Sequence, residues 1–164
     1  MITMGFSLAL TFAMLGVVLL DATRYLIPNS LNFALLLLWA AGIYFLPIHV
    51  VPALGAGAVI LLVGLGFFAL GLMGGGDIKL LAVLALWTGW NIATVNFLVL
   101  TAFVGGVLVV ALLIIRALAN AILKGRNLPR ILIPKQPVPY GLAIAGAFLL
   151  LLWHHNIPAL TAVR

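Results

Sequence analysis

Long apolar runs separated by short polar breaks set the pattern of this chain. Residues 2–20 carry no charged side chain and lead into Asp21-Ala22-Thr23-Arg24. As a helix, that run would rise about 28 Å, nearly a full hydrocarbon core. It lacks the basic start and small-residue cleavage site of a signal peptide, so a retained span is expected. Pro28-Asn29-Ser30 then breaks the chain and offers Asn29 or Ser30 as the N-cap of a second helix. Further runs cover 31–46, ending at Pro47, and about 51–72. Gly74-Gly75-Gly76-Asp77 interrupts the pattern before a shorter run from 78 to about 90, and another extends from about 92 to 115. Arg116 to Tyr140 reads as one long polar connection, where Pro129, Pro134, Pro137 and Pro139 oppose a continuous helix. A sixth run covers 141–153.

Composition agrees with that pattern. The 164 residues are 66% apolar and 6% charged, where a soluble domain carries charge on about a quarter of its positions. A water-soluble globule is excluded. The runs do not alternate every second residue, so the spans are helical and not barrel strands. With no Cys, no disulfide, thiolate zinc site or cysteine nucleophile is available. The expectation is an all-α integral membrane protein of six transmembrane helices, residues 1–164 forming one membrane-embedded domain.

The charge of +6 is explained by topology. With six spans, Arg24, Lys79, Arg116, Lys124, Arg126, Arg130 and Lys135 fall on one side and Arg164 alone on the other. The positive-inside rule then puts both termini outside and the long loop between helices 5 and 6 in the cytoplasm. The basic loop lacks interleaved aromatic residues, so nucleic acid is not expected as a partner; the lipid bilayer is. His49 and His154-His155 are expected at the outer face, without the further ligands of a metal site. Trp39, Trp87, Trp90 and Trp153 fit an outer aromatic belt. Gly57, Gly64 and Gly71 recur every seven residues, with Ala53 one turn before Gly57; such a stripe lets helices pack closely in lipid.

Asp21 and Asp77 are the only acids in the chain. An acid within a membrane is costly and marks function, and the expected topology brings both to one membrane face. Two neighbouring carboxyls hold one proton between them. The ionised member can then take a proton from water while the protonated member polarises a carbonyl oxygen. Such a pair needs no metal, cofactor or covalent intermediate, and its titration belongs to the pair. A structural reading stands beside this one: Asp21 pairs with Arg24, three residues on, and Asp77 caps the fourth helix. The glycine triplet tips the balance, because three residues without Cβ let an extended peptide approach the backbone closely. The Walker phosphate-binding pattern is absent.

Asp21-Ala22-Thr23-Arg24-Tyr25-Leu26-Ile27-Pro28-Asn29, Gly74-Gly75-Gly76-Asp77-Ile78-Lys79 and Pro139-Tyr140-Gly141 together resemble the type IV prepilin peptidases, and most of all the small form serving Flp (tight adherence) pili. Archaeal preflagellin peptidases are a sibling possibility, and the Gly-x-Gly-Asp element is shared with presenilin-like intramembrane proteases. The resemblance implies that Asp21 and Asp77 are a catalytic dyad. It also implies an enzyme of the bacterial inner membrane that removes the leader of a prepilin or pseudopilin precursor at the cytoplasmic face. Larger members also methylate the new N-terminus using a domain with paired Cys motifs; with no Cys here, methylation is not expected. Gly74, Gly75, Gly76, Lys79, Arg24, Pro28 and Asn29 match as supporting or substrate-binding residues. Lys79, about 200° round a helix from Asp77, is read as an anchor or a contact to substrate backbone or lipid phosphate. Arg24 is read as a charge partner of Asp21 or a topology anchor, and Pro28 and Asn29 as shaping the turn. The other reading kept open is a proton-coupled transporter or noncatalytic pilus-assembly factor. Against a transporter, no third titratable side chain lies within the spans to continue a relay.

Overall fold

The computed structural model of the chain describes residues 1–123, 138–154 and 156–161. Their regular structure is helical throughout: α1 (Ile2–Arg24), α2 (Asn29–Phe45), α3 (Val50–Ala69), α4 (Gly75–Thr88), α5 (Ile92–Leu123), α6 (Tyr140–Trp153) and the single turn α7 (Pro158–Thr161). Among the described residues, four stretches are long and apolar enough to cross a membrane: Ile2–Arg24, Val50–Ala69, Ile92–Ala121 and Tyr140–Thr161. Asn29–Phe45 is a shorter apolar helix. At 14 residues, α4 rises only about 21 Å.

The short helix is the centre of the molecule. α4 packs against α2, α3, α5, α6 and α7, while α1 packs on α2, α6 and α7, and α5 on α6. Ile78, Leu80, Leu84, Ala85 and Trp87 are all at most 1% exposed, so α4 is buried over most of its circumference, with Lys79 exposed on the remaining face. Trp39 Nε1 donates to the Leu86 carbonyl at 3.0 Å, tying α2 to α4. At the α5–α6 seam, Phe97 and Phe148 meet edge to face with centroids 5.8 Å apart.

Glycines set the α3–α4 spacing. A Cβ on Gly57 would lie 2.6 Å from Leu86 Cδ2, and one on Gly64 would lie 2.5 Å from Ile78 Cγ2. Two members of the seven-residue stripe therefore face α4. Gly71 does not: it has φ +69° beyond the end of α3 and open space around it, so it makes a turn and packs nothing.

Several expectations need correction. Trp39 and Trp87 are buried in the core, and only Trp90 and Trp153 are exposed enough for an aromatic belt. The N-cap of α2 is Pro28, whose carbonyl accepts from the N–H groups of Leu31 at 3.1 Å and Asn32 at 3.4 Å; neither Asn29 nor Ser30 fills that place. Arg116 does not open a loop but lies buried within α5. A charge does not end a helix, and the residues after Arg116 include good helix formers (Ala, Leu). Residues 117–123 continue α5, and residues 124–137 of the expected polar connection, with Lys124, Arg126, Arg130, Lys135 and Pro129, Pro134 and Pro137, lie outside the described residues, as do His155 and Arg164.

Candidate active site

Asp21 occupies the last turn of α1 and is 4% exposed. Four residues on, Tyr25 takes a left-handed conformation (φ 53°, ψ 37°), and its N–H closes the helix on the Asp21 carbonyl at 3.0 Å. The left-handed cap turns the chain sharply and sends residues 25–28 under the start of α4. There the backbones meet. A Cβ on Gly76 would lie 3.2 Å from both Cβ and the carbonyl oxygen of Ile27, so only glycine lets α4 begin this close to the link leaving Asp21.

Asp77 is the third residue of α4, and its carboxyl folds back beside Gly74 at the helix start. That is the position from which the third residue of a capping box faces the free donors of its own helix. The Asp21 carboxyl reaches a different helix, accepting from the backbone N–H groups of Gly141 and Leu142 at the start of α6. Each acid is thus held at a helix N-terminus, where aligned peptide dipoles favour negative charge. Asp21 Oδ2 is buried and has no hydrogen-bond partner among the described residues.

The two acids line one cleft of about 560 Å³, together with Tyr25, Met73 and Tyr140. They lie close enough for the charge of Asp21 to act on Asp77. Gly74, Gly75 and Gly76 form part of the same wall. A Cβ on Gly74 would lie 2.9 Å from Asp77 Oδ2, whereas one on Gly75 would rest 3.6 Å from the Phe68 ring. A cleft with two carboxyls and bare backbone beside them offers one proton donor and one proton acceptor to a polar group entering it. Among the described residues, no three His, Cys, Asp or Glu side chains come together to hold a metal ion.

The remaining residues singled out from sequence stand outside the cleft. Arg24 is exposed at the end of α1, and the Asp21 carboxyl is turned to the α6 backbone instead. Lys79 Nζ donates to Asn29 Oδ1 at 2.9 Å, and both line a separate groove between α2 and α4. Pro28 sets the start of α2. Sequence reasoning gave no role to Gly141. A Cβ there would lie 2.7 Å from Asp21 Oδ2 and 3.0 Å from Ile27 Cδ1, so α6 can approach the acid only through a glycine. The signal was present in Pro139-Tyr140-Gly141, but spacing alone does not say what a glycine faces.

Residues 8–110, which include both acids and the glycine triplet, match the type IV leader peptidase family. The chain belongs to that family. Family members of similar sequence include a prepilin leader peptidase/N-methyltransferase of Aeromonas salmonicida, 31% identical over 163 residues, with 92% of this chain and 50% of the relative covered. Another prepilin leader peptidase/N-methyltransferase, from Pseudomonas aeruginosa, is 33% identical, with 93% and 51% covered. The chain therefore spans about half the length of these leader peptidases. No solved structure matches it.

Proposed function

We propose that this chain is an aspartic endopeptidase that removes the leader of prepilin-like precursors of the type IV or Flp class, with Asp21 and Asp77 as its catalytic residues. One observation carries the reading: the only two acids of the chain, 56 positions apart, line a single cleft beside three successive glycines. Family membership and the names of the relatives supply the substrate class.

In this proposal the leader lies extended along Gly74–Gly76, whose bare backbone offers hydrogen-bonding groups to a peptide strand. The ionised carboxyl takes a proton from a water molecule as that water attacks the scissile carbonyl. The protonated carboxyl hydrogen-bonds the carbonyl oxygen and stabilises its developing negative charge. Collapse of the tetrahedral intermediate breaks the C–N bond, with a proton delivered to the departing amine. Arg24, Pro28 and Asn29 act at a distance, shaping the turn that carries Asp21. Residues 1–164 act as one membrane-embedded unit with six spans, both termini outside, and the cleft at the cytoplasmic face of a bacterial inner membrane. The positive-inside count and the common end of the two acids support that orientation.

The test is co-expression with a prepilin. Asp21→Asn and Asp77→Asn, each isosteric, should leave membrane insertion and the melting temperature in detergent unchanged. Leader removal should fall by about 10²–10⁴-fold, the usual worth of an acid or base. Processing retained in either variant refutes the dyad. pH-driven solute uptake with no peptide product would mark a transporter instead.

A further inference from the structure

The groove between α2 and α4 holds no acid and serves no step of the proposed chemistry, yet it is built with a polarity gradient. From α2 it takes Asn29, Ser30, Asn32, Phe33 and Leu36, and from α4 Lys79 and Val83. Ser30 at the mouth apart, these positions follow i, i+3, i+4, i+7 on one helix and i, i+4 on the other, so each set forms one stripe along the groove. Asn29 and Lys79 meet at its mouth through their 2.9 Å hydrogen bond. Leu36 and Val83 lie about 10 Å and 6 Å further along their helices. The volume is about 540 Å³, which accommodates a headgroup and the upper part of an acyl chain.

A second observation points to a ligand. Asn32 lines this groove, is only 5% exposed, and its Oδ1 has no hydrogen-bond partner among the described residues. Its Nδ2 makes only a long contact, 3.5 Å, to the Gly76 carbonyl. A buried amide oxygen left unsatisfied costs free energy, and a donor entering the groove would relieve it. The groove thus offers a cation for an anion, an acceptor for a donor, and an apolar floor leading away from both.

We propose that this groove binds a membrane glycerophospholipid whose headgroup carries hydrogen-bond donors beside its phosphate. The phosphate pairs with Lys79, the glycerol hydroxyl or ethanolamine ammonium donates to Asn32 Oδ1, and an acyl chain runs over Phe33, Leu36 and Val83. This site stands apart from the function proposed for the acids, and its test reads binding alone.

The full-length protein, purified in detergent, is titrated by native mass spectrometry with phosphatidylglycerol, phosphatidylethanolamine and phosphatidylcholine of identical acyl chains, and separately with inorganic phosphate. The first two lipids should be held about tenfold more tightly than phosphatidylcholine, which has no headgroup donor; that is about the worth of one hydrogen bond. Lys79→Ala should weaken all three by about tenfold, and Lys79→Arg should restore them. Leu36→Trp, at a partly exposed position that leaves the core intact, should block the groove and abolish the preference. Equal retention of the three lipids, or retention unchanged in both Lys79→Ala and Leu36→Trp, overturns the proposal. Saturation by inorganic phosphate alone also overturns it, since the site would then be an anion site without a lipid.

Discussion

Replacing Gly141 by Ala adds a methyl group 2.7 Å from Asp21 Oδ2, 2.9 Å from its Cγ and 3.0 Å from Ile27 Cδ1. Carbon atoms at rest sit about 3.5–4.0 Å apart, so the carboxyl must retreat by roughly 1 Å. All three atoms lie toward the ends of side chains, which can swing without moving backbone. The overpacking cost therefore falls near the low end of its range, about 1 kcal/mol. Ala in place of Gly within a helix returns up to about 1 kcal/mol. The two nearly cancel, and the melting temperature should move by no more than about 4 °C. Activity has no such compensation. A displacement of about 1 Å in a reacting group costs on the order of 10²-fold in rate, and the shifted carboxyl also loses its alignment with the Gly141 and Leu142 N–H groups. The assay is single-turnover cleavage of a synthetic leader peptide in micelles, run beside a thermal melt. Gly146→Ala is the control, on the same helix with nothing within 4 Å of its added Cβ. A Gly141→Ala enzyme cleaving within threefold of wild type would refute the idea that α6 fixes the acid. So would an equal loss in the control.

Three further expectations concern the glycines and the core. Within the triplet, Gly75→Ala should be tolerated, because its Cβ meets Phe68 at an ordinary 3.6 Å. Gly76→Ala should destabilise by about 1–3 kcal/mol, since its 3.2 Å neighbour is the Ile27 backbone, which cannot swing aside; thermal melts of the two variants separate these outcomes. Gly64→Ala should also cost about 1–3 kcal/mol, and Ile78→Ala, which removes the Cγ2 atom 2.5 Å from the new Cβ, should show a coupling of at least about 0.5 kcal/mol in a double-mutant cycle. Trp39→Phe should lower stability by about 1–3 kcal/mol by leaving the buried Leu86 carbonyl without its 3.0 Å donor, read as a lower melting midpoint.

That the two acids would share a cleft was legible from their rarity: a lone pair of carboxyls in an apolar chain has few reasons to be there. Gly57 and Gly64 were legible as a packing stripe for the same kind of reason, a period that matches one helix face. What one-dimensional pattern hides is the identity of the neighbour. Gly141 reads as a helix start until α6 is seen against Asp21. Trp39 and Trp87 read as interfacial because tryptophan favours that depth, whereas the α2–α4 seam supplies a buried carbonyl for one and a core position for the other. Arg116 marked a boundary of charge, and the helix ignored it. Asn32, inside an apolar run, gave no hint that it would line a groove with its amide oxygen buried and unpartnered.

The brevity of α4 carries a consequence for how water arrives. A rod of about 21 Å cannot bridge an oil slab of about 30 Å, so roughly 9 Å must be surrendered at its ends. The acid-lined hollow opens at the start of this rod, so under the proposed orientation the shortfall would give bulk solvent a way in below the headgroups. On the proposed function, cleavage within the thickness of the bilayer would need neither a pore nor a gate, only a central strut cut nearly two turns short.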